Sequence, residues 1–234
     1  MRKSNFRRTL LRNLLLGSFF LSIPFGGVAF YWLVTLPDVA ALAETNPSST
    51  AFIETRTAQA HEQGRRVKPR QRWVPLSRIS PHLKRAVIVA EDASFYLHDG
   101  FDWGGIKDAA ISNLKRGKLR RGGSTITQQL AKNLYLSPEK NLLRKFREAI
   151  ITRTLEKHLT KPRILELYLN IVEWGHHVYG AEAAARHHFR KSADRLTREE
   201  AALLAAILPS PRHHDPLQRT DQLKERRDRI LGFM

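Results

Sequence analysis

The chain has 234 residues, 42% of them hydrophobic, a formal net charge of +18 and no cysteine. That length argues for one sizeable core, with at most an appendage, and against two large domains. The missing cysteines exclude disulfides and thiolate zinc sites, and the charge points to anionic partners: nucleic acid, a membrane surface or a phosphorylated substrate.

Arg2, Lys3, Arg7, Arg8 and Arg12 precede residues 14–36, which carry no charge and end at Pro37-Asp38. A helix of that length, at about 1.5 Å per residue, spans a hydrocarbon core of roughly 30 Å with some tilt. Pro24 and the Gly26-Gly27 pair weaken a soluble helix more than a membrane one. A buried core helix and a cleavable signal peptide compete with this reading, the latter helped by Ala41-Leu42-Ala43. The apolar run, however, is longer than the roughly 7 to 15 residues of a signal peptide. The expectation is a single retained transmembrane helix. Residues 1–13 form its cytoplasmic basic tail, and everything after it lies outside the cytoplasmic membrane.

Residues 37–74 are rich in Thr, Ser, Pro, Arg and Gln and read as a linker, with short strands at 50–53 and 72–74. Their basic cluster (Arg65, Arg66, Lys68, Arg70, Arg72) is first a solvated run and second a contact for lipid headgroups. No nucleic-acid-binding motif accompanies it, so a nucleic-acid arm ranks last.

Residues 75–234 read as a domain that is helical almost throughout. Ser80-Pro81 followed by Leu83, Val87 and Ala90 predicts a capped helix that delivers Glu91 and Asp92 to a loop. Ile106, Ala109, Ala110 and Leu114 mark a second helix; Ile126, Leu130 and Leu134 mark a third. A longer one opens at Pro138 and reaches Leu159, with Leu142, Phe146, Ala149 and Ile150 on its apolar side. Thr160-Lys161-Pro162 restarts the chain as a helix carrying Leu165, Leu169 and Val172, which stops near Gly175. Further helices are expected at 181–189, at 201–208 behind a Thr197/Glu200 capping box, and at 217–233. No repeat and no alternating strand pattern appears in this region, so the fold class is mainly α.

Three stretches could carry chemistry. Residues 91–100 interrupt an apolar segment with Glu91, Asp92, Asp99 and His98. A carboxylate at a helix end above an apolar floor can have its pKa raised and act as a general acid or base, although solvation of a helix terminus is the commoner fate of such a pair. Gly122-Gly123-Ser124 puts two glycines and a Ser cap at a helix mouth, where backbone N–H groups and the helix dipole favour an anion; an ordinary capped amphipathic helix is the competing reading. On that helix Gln128 shares a face with Lys132, and Gln129 with Asn133. Arg144, Lys145 and Glu148, at i, i+3 and i, i+4 spacing, are either a surface ion pair or a carboxylate flanked by two cations that could hold a diphosphate. Glu166 and Asn170 read as buried hydrogen-bonders. The pairs His176-His177, His187-His188 and His213-His214 point apart and lack metal-ligand spacing.

Taken together these residues resemble glycosyltransferase family 51, the peptidoglycan polymerases. Glu91-Asp92, Phe95, His98 and Gly100 match its E-D-x-x-F-x-x-H-x-G element, and residues 123–133 its G-S-T-I-T-Q-Q-L-x-K-N element. Arg144, Lys145 and Glu148 match R-K-x-x-E, and residues 164–170 match I-L-E-x-Y-L-N. Arg226-Arg227 through Leu231 match R-R-x-x-V-L, with Ile230 for valine. The resemblance implies a lysozyme-like, two-lobed, mainly α domain. Its implied activity is to polymerise the lipid-linked disaccharide-pentapeptide lipid II into glycan strands, with Glu91 and Glu148 as catalytic residues. Glu91 is then the base at the acceptor's GlcNAc 4-hydroxyl, and undecaprenyl pyrophosphate leaves the donor with inversion. Lys145 and Arg144 meet the leaving charge, and Glu148 positions these cations or a divalent metal ion (Mg or Mn) at the pyrophosphate. No organic cofactor is implied. The implied substrate-binding set is Asp92, Phe95, His98, Ser124, Thr125, Gln128, Gln129, Lys132, Asn133, Arg144 and Lys145, with Asp92 and His98 orienting the loop rather than reacting. Glu166, Asn170, Arg226 and Arg227 are structural. The implied partners are lipid II, the growing lipid-linked chain, the membrane and other cell-wall synthesis proteins, with no nucleic acid. The implied location is the bacterial inner membrane with the catalytic domain on the periplasmic side. The chain stops just after the last matched element and resembles the family's monofunctional members. A wall-degrading glycosidase or lytic transglycosylase would share the fold but not need Arg144 and Lys145; a non-catalytic membrane-tethered scaffold is the reading from another class.

Overall fold

Side-chain caps set the helix starts in the computed structural model, which describes residues 27, 34–116, 123–138, 141–218 and 220–234. The expected basic tail lies outside the described residues, as does the membrane span except for Gly27 and residues 34–36. Among the described residues no helix is long and apolar enough to cross a membrane.

Helix α1 (Ala51–Glu62) stands where a strand was expected. The Thr50 hydroxyl caps it by accepting from the Ile53 N–H at 3.1 Å, and the Thr55 and Thr57 hydroxyls donate to carbonyls one turn back. These bonds reconcile β-branched residues with helical geometry. Ile53 and Ala60 are buried, and the helix packs on the central helix α4 described below, so this stretch belongs to the domain rather than to a linker. Strand β1 (Arg70–Gln71) lies just before the expected position.

Helix α2 (Pro81–Glu91) begins as expected, with Pro81 in the first turn and the Ser80 hydroxyl accepting from the His82 N–H. It buries Leu83, Ala86 and Val87 and ends at Glu91. Helix α3 (Trp103–Arg116) follows the loop. Helix α4 (Ile126–Tyr135) is capped by Thr125, not Ser124, in a capping box with Gln128; Gly122 of the expected glycine pair lies outside the described residues. Helix α5 (Leu142–His158) is capped by Asn141 rather than opened by Pro138. Its buried stripe is Glu148, Ile151, Thr152 and Leu155, while Leu142 and Phe146 are 89% and 61% exposed, so the apolar face expected for its first turns points outward.

Helix α6 (Lys161–Ile171) has Thr160 as cap and is buried along nearly its whole length. It leads into strands β2 (Glu173–Gly175) and β3 (Val178–Tyr179), too short for their alternation to show in the sequence. The sheet order is β1-β3-β2, with β1 parallel to β3 and β2 antiparallel to it. Helix α7 (Ala181–Phe189) starts after Gly180, whose φ is +82°; a Cβ there would come within 2.5 Å of the Asn170 carbonyl oxygen, so the close packing of this turn on α6 needs glycine. Helix α8 (Arg198–Ile207) has the expected Thr197/Glu200 capping box, and α9 (Asp221–Phe233) closes the chain behind Thr220.

Two packing groups result. Helix α8 packs on α2 and α9, and α4 packs on α1, α5 and α6. Residues 38–234 form one compact unit whose largest fully buried side chains include Trp174, Tyr168, Tyr179 and Phe95.

Candidate active site

The loop after α2 is built around Asp92. One carboxylate oxygen accepts from the Ile126 N–H at 3.0 Å and the other lies 2.9 Å from His98 Nε2. The Gly100 N–H donates to His98 Nδ1 at 3.1 Å, which leaves the ring proton on Nε2 and directed at Asp92. Thr125 donates to the Gly100 carbonyl at 2.7 Å while its own N–H donates to Gln128 Oε1. The mouth of α4 is therefore filled by the protein's own carboxylate, and the open anion site expected there is corrected: Asp92 takes the position where N–H groups and dipole favour negative charge.

Glu91 sits half-buried at the C-terminal end of α2. Its Oε2 accepts from Gln129 Nε2 at 2.7 Å, and Gln129 Oε1 accepts from the Tyr168 hydroxyl at 3.0 Å. Oε1 of Glu91 takes no hydrogen bond from the described residues. Burial pushes the Glu91 pKa up; the Gln129 hydrogen bond, then Arg226 and Lys132, pull against it.

Next to this carboxylate is a cavity of about 550 Å³ lined in part by Ser124, Gln128, Gln129, Lys132, Asn133, Arg144, Lys145 and Glu148. Glu91 itself does not line it and lies one side chain behind, reached through Gln129. Glu148 is buried, with one oxygen 2.8 Å from Arg144 Nη1 and the other paired with Lys145. Arg144 Nε is buried without a hydrogen-bond partner among the described residues. Lys132 makes no ion pair among the described residues, and burial pulls its pKa down. Three cations against one carboxylate make this wall strongly positive. Among the described residues no group of three or more His, Asp or Glu side chains comes together that could hold a metal ion, and both Glu148 oxygens are already committed to cations.

The family model described as Transglycosylase matches residues 38–234. The chain belongs to the transglycosylase family. Among similar proteins, a biosynthetic peptidoglycan transglycosylase of Nitrosospira multiformis is 54% identical over 189 residues, covering 81% of this chain and 82% of that protein. One of Thiobacillus denitrificans is 49% identical over 200 residues, 86% of each chain. One of Janthinobacterium sp. is 43% identical over 217 residues, covering 87% and 94%.

Within this transglycosylase the expected site residues divide. Ser124, Gln128, Gln129, Lys132, Asn133, Arg144, Lys145 and Glu148 converge on the cavity. Asp92 and His98, which bond each other, and Thr125 instead hold the loop to α4: Asp92 accepts from the Ile126 N–H and Thr125 donates to the Gly100 carbonyl. Phe95, expected among the substrate-binding residues, is fully buried with the Lys161 ammonium 4.7 Å above its ring, and so belongs to the core. Glu166 accepts from the Leu76 N–H, and Asn170 bonds both backbone polar groups of Val74. Arg226 donates to the Ala206 carbonyl, tying α9 to α8, while Arg227 pairs with its neighbour Asp228. The cavity also has a wall that sequence reasoning missed: Phe52 and Arg56 of α1, Glu173 of β2 and Arg212. Tyr168 stood in a matched motif, but no role was attached to it.

Proposed function

We propose that this transglycosylase polymerises lipid II into glycan strands, with Glu91 as general base and Lys132, Arg144 and Lys145 meeting the leaving pyrophosphate. The observation that carries the reading is the cationic cavity wall beside a half-buried carboxylate of raised pKa that has one oxygen uncommitted among the described residues. In the proposed step Glu91 Oε1 takes the proton from the 4-hydroxyl of the acceptor's GlcNAc. The freed oxygen pair attacks C1 of the donor's MurNAc from the face opposite the leaving group. The C1–O bond breaks with inversion, and its electrons go to the pyrophosphate, whose charge the cations stabilise. A wall-degrading hydrolase has no leaving group that needs these cations.

A divalent cation at this position would take its ligands from phosphate oxygens and water, and Glu148 would join them only by releasing Arg144 or Lys145; no step above is routed through it. Anchoring by residues 14–36, with a cytoplasmic N-terminus, is part of the same proposal. The uncharged run behind a basic tail supports it, as do the exposed Leu97, Trp103, Leu142 and Phe146 side chains, 87%, 72%, 89% and 61% accessible, which suit a lipid surface.

The deciding experiment incubates the purified full chain in bilayers with lipid II and, separately, with finished wall. Glycan strands and undecaprenyl pyrophosphate are expected from the first and no cleavage of the second. Activity on finished wall alone overturns the reading.

A further inference from the structure

The cavity has a second charged wall that the proposed step does not use. Arg56 reaches it from α1 with its Cζ 4.9 Å from the centre of the Phe52 ring and its Nη1 donating to Gln59 Oε1 at 3.2 Å. Its Nε is buried with no hydrogen-bond partner among the described residues. Arg212 comes from the loop after α8 and donates to His176. Both arginines, and the backbone N–H of His177, act electrostatically on Glu173, which is 6% exposed and raised in pKa by burial. Yet neither arginine comes within ion-pair distance of that carboxylate. Tyr179 faces Glu173 across the β2–β3 ladder, and its buried hydroxyl also lacks a partner among the described residues. Arg56, Arg212 and Glu173 line the cavity from α1, the loop after α8 and β2, whereas Lys132, Arg144, Lys145 and Glu148 line it from α4 and α5, so the two charged groups come from different elements.

We propose that Arg56 and Arg212, beside Glu173, form a second anion subsite that takes a carboxylate of the substrate's stem peptide. The proposal rests on the lipid II reading above. Two planar guanidinium forks on one concave wall suit a carboxylate. Charge separates the two places. At the Glu148 wall three cations face one carboxylate, which fits a pyrophosphate; at Glu173 two cations face one carboxylate, which fits a monoanion.

The test compares wild type with Arg56→Gln, Arg212→Gln and the double variant on three bilayer substrates: lipid II, lipid II with its peptide carboxylates amidated, and the lipid-linked disaccharide without peptide. On lipid II the double variant should raise KM by a factor of about 10 to 100 with kcat largely kept, the loss expected for charge-assisted hydrogen bonds. Wild type should suffer the same factor on the amidated and peptide-free substrates, and the variants should suffer no further loss there. An equal loss by the variants on all three substrates would mean that the anion is a lipid pyrophosphate or that the arginines serve the fold, and overturns the subsite. So does amidated lipid II used as well as the free acid. If wild type polymerises none of the three, the lipid II reading itself fails. Should Arg56→Gln not fold, Arg212→Gln makes the same comparison alone.

Discussion

Gln129 ties Glu91 to Tyr168: its amide nitrogen donates to Glu91 Oε2 at 2.7 Å while its oxygen accepts the Tyr168 hydroxyl at 3.0 Å. The proton Tyr168 donates fixes which end of the amide faces the carboxylate, so three helices, α2, α4 and α6, together orient one oxygen pair.

That relay makes a pH prediction. Burial holds the Glu91 pKa above its ordinary value, and the Gln129 bond is the strongest influence holding it down. Activity should therefore rise with pH along an acid limb of kcat/KM that lies above the usual glutamate value of about 4.3. Gln129→Leu removes a bond that favours the ionised form, so the limb should move to higher pH, and Tyr168→Phe should move it the same way by less. An acid limb indifferent to both changes means that another group titrates.

Glu91→Gln should lower turnover by about 10² to 10⁴, the usual worth of a general base, with an unchanged circular dichroism spectrum. Its effect on stability has the opposite sign. The folded state holds the Glu91 proton more tightly than the unfolded chain does. The stability Glu91 contributes is thus complete below its unfolded pKa and lost as pH rises through the folded one. At neutral pH the glutamine variant should melt no lower than wild type, and melting curves taken across that window check it.

Asp92 carries the opposite expectation. It is buried, and it satisfies both the first N–H of α4 and the His98 ring. Asp92→Ala should cost about 2 to 4 kcal/mol in urea unfolding, because it orphans two buried donors. Asp92→Asn, which keeps an acceptor for the Ile126 N–H, should cost clearly less. Equal losses would mean that the charge, and not the hydrogen bond, matters at the helix mouth.

Much of this arrangement was legible in local signals. Ser80-Pro81, Thr160-Pro162 and the Thr197/Glu200 box mark helix starts because a cap is a short-range event. Helix α1 was not legible, since Phe52, Ile53 and Thr55 favour an extended reading and only packing on α4 decides against it. Nor was the occupant of the helix mouth: the glycines suggest an anion, but Asp92, 34 positions before Ile126, supplies it through the tertiary fold. The cluster at residues 144–148 shows its charges in sequence, yet whether it is a surface ion pair or a cavity wall depends on Glu148 being 2% exposed. Glu173 and Arg212 meet only because β2 and the loop after α8 face one cavity.

Asn170 offers a test of the second kind of residue, one that holds the site together without touching substrate. Fully buried on α6, it accepts from the Val74 N–H and donates to the Val74 and Glu166 carbonyls, each at 2.8 to 2.9 Å. Asn170→Ala leaves both backbone groups of Val74 in need of partners and should cost about 3 to 4 kcal/mol, at the high end for a single substitution. Thermal unfolding checks it, and a small loss would mean that water reaches Val74.

Glu148 and Lys145 should behave as one unit. The carboxylate is buried and pairs with both Arg144 and Lys145, so its removal frees the very cations that line the cavity. Glu148→Gln and Lys145→Ala should each lower kcat by about 10² to 10³, the usual cost of losing one donor to developing negative charge. The double variant should lose scarcely more than the worse single one, because a lysine without its carboxylate is already out of place. A chelator added to wild type and to Glu148→Gln supplies the complementary measurement. With side-chain cations as the operative charges, it should leave the rates of both proteins unchanged. A selective loss in wild type would instead give Glu148 a metal ion to hold, and a double variant whose losses simply multiply would separate the two residues into independent roles.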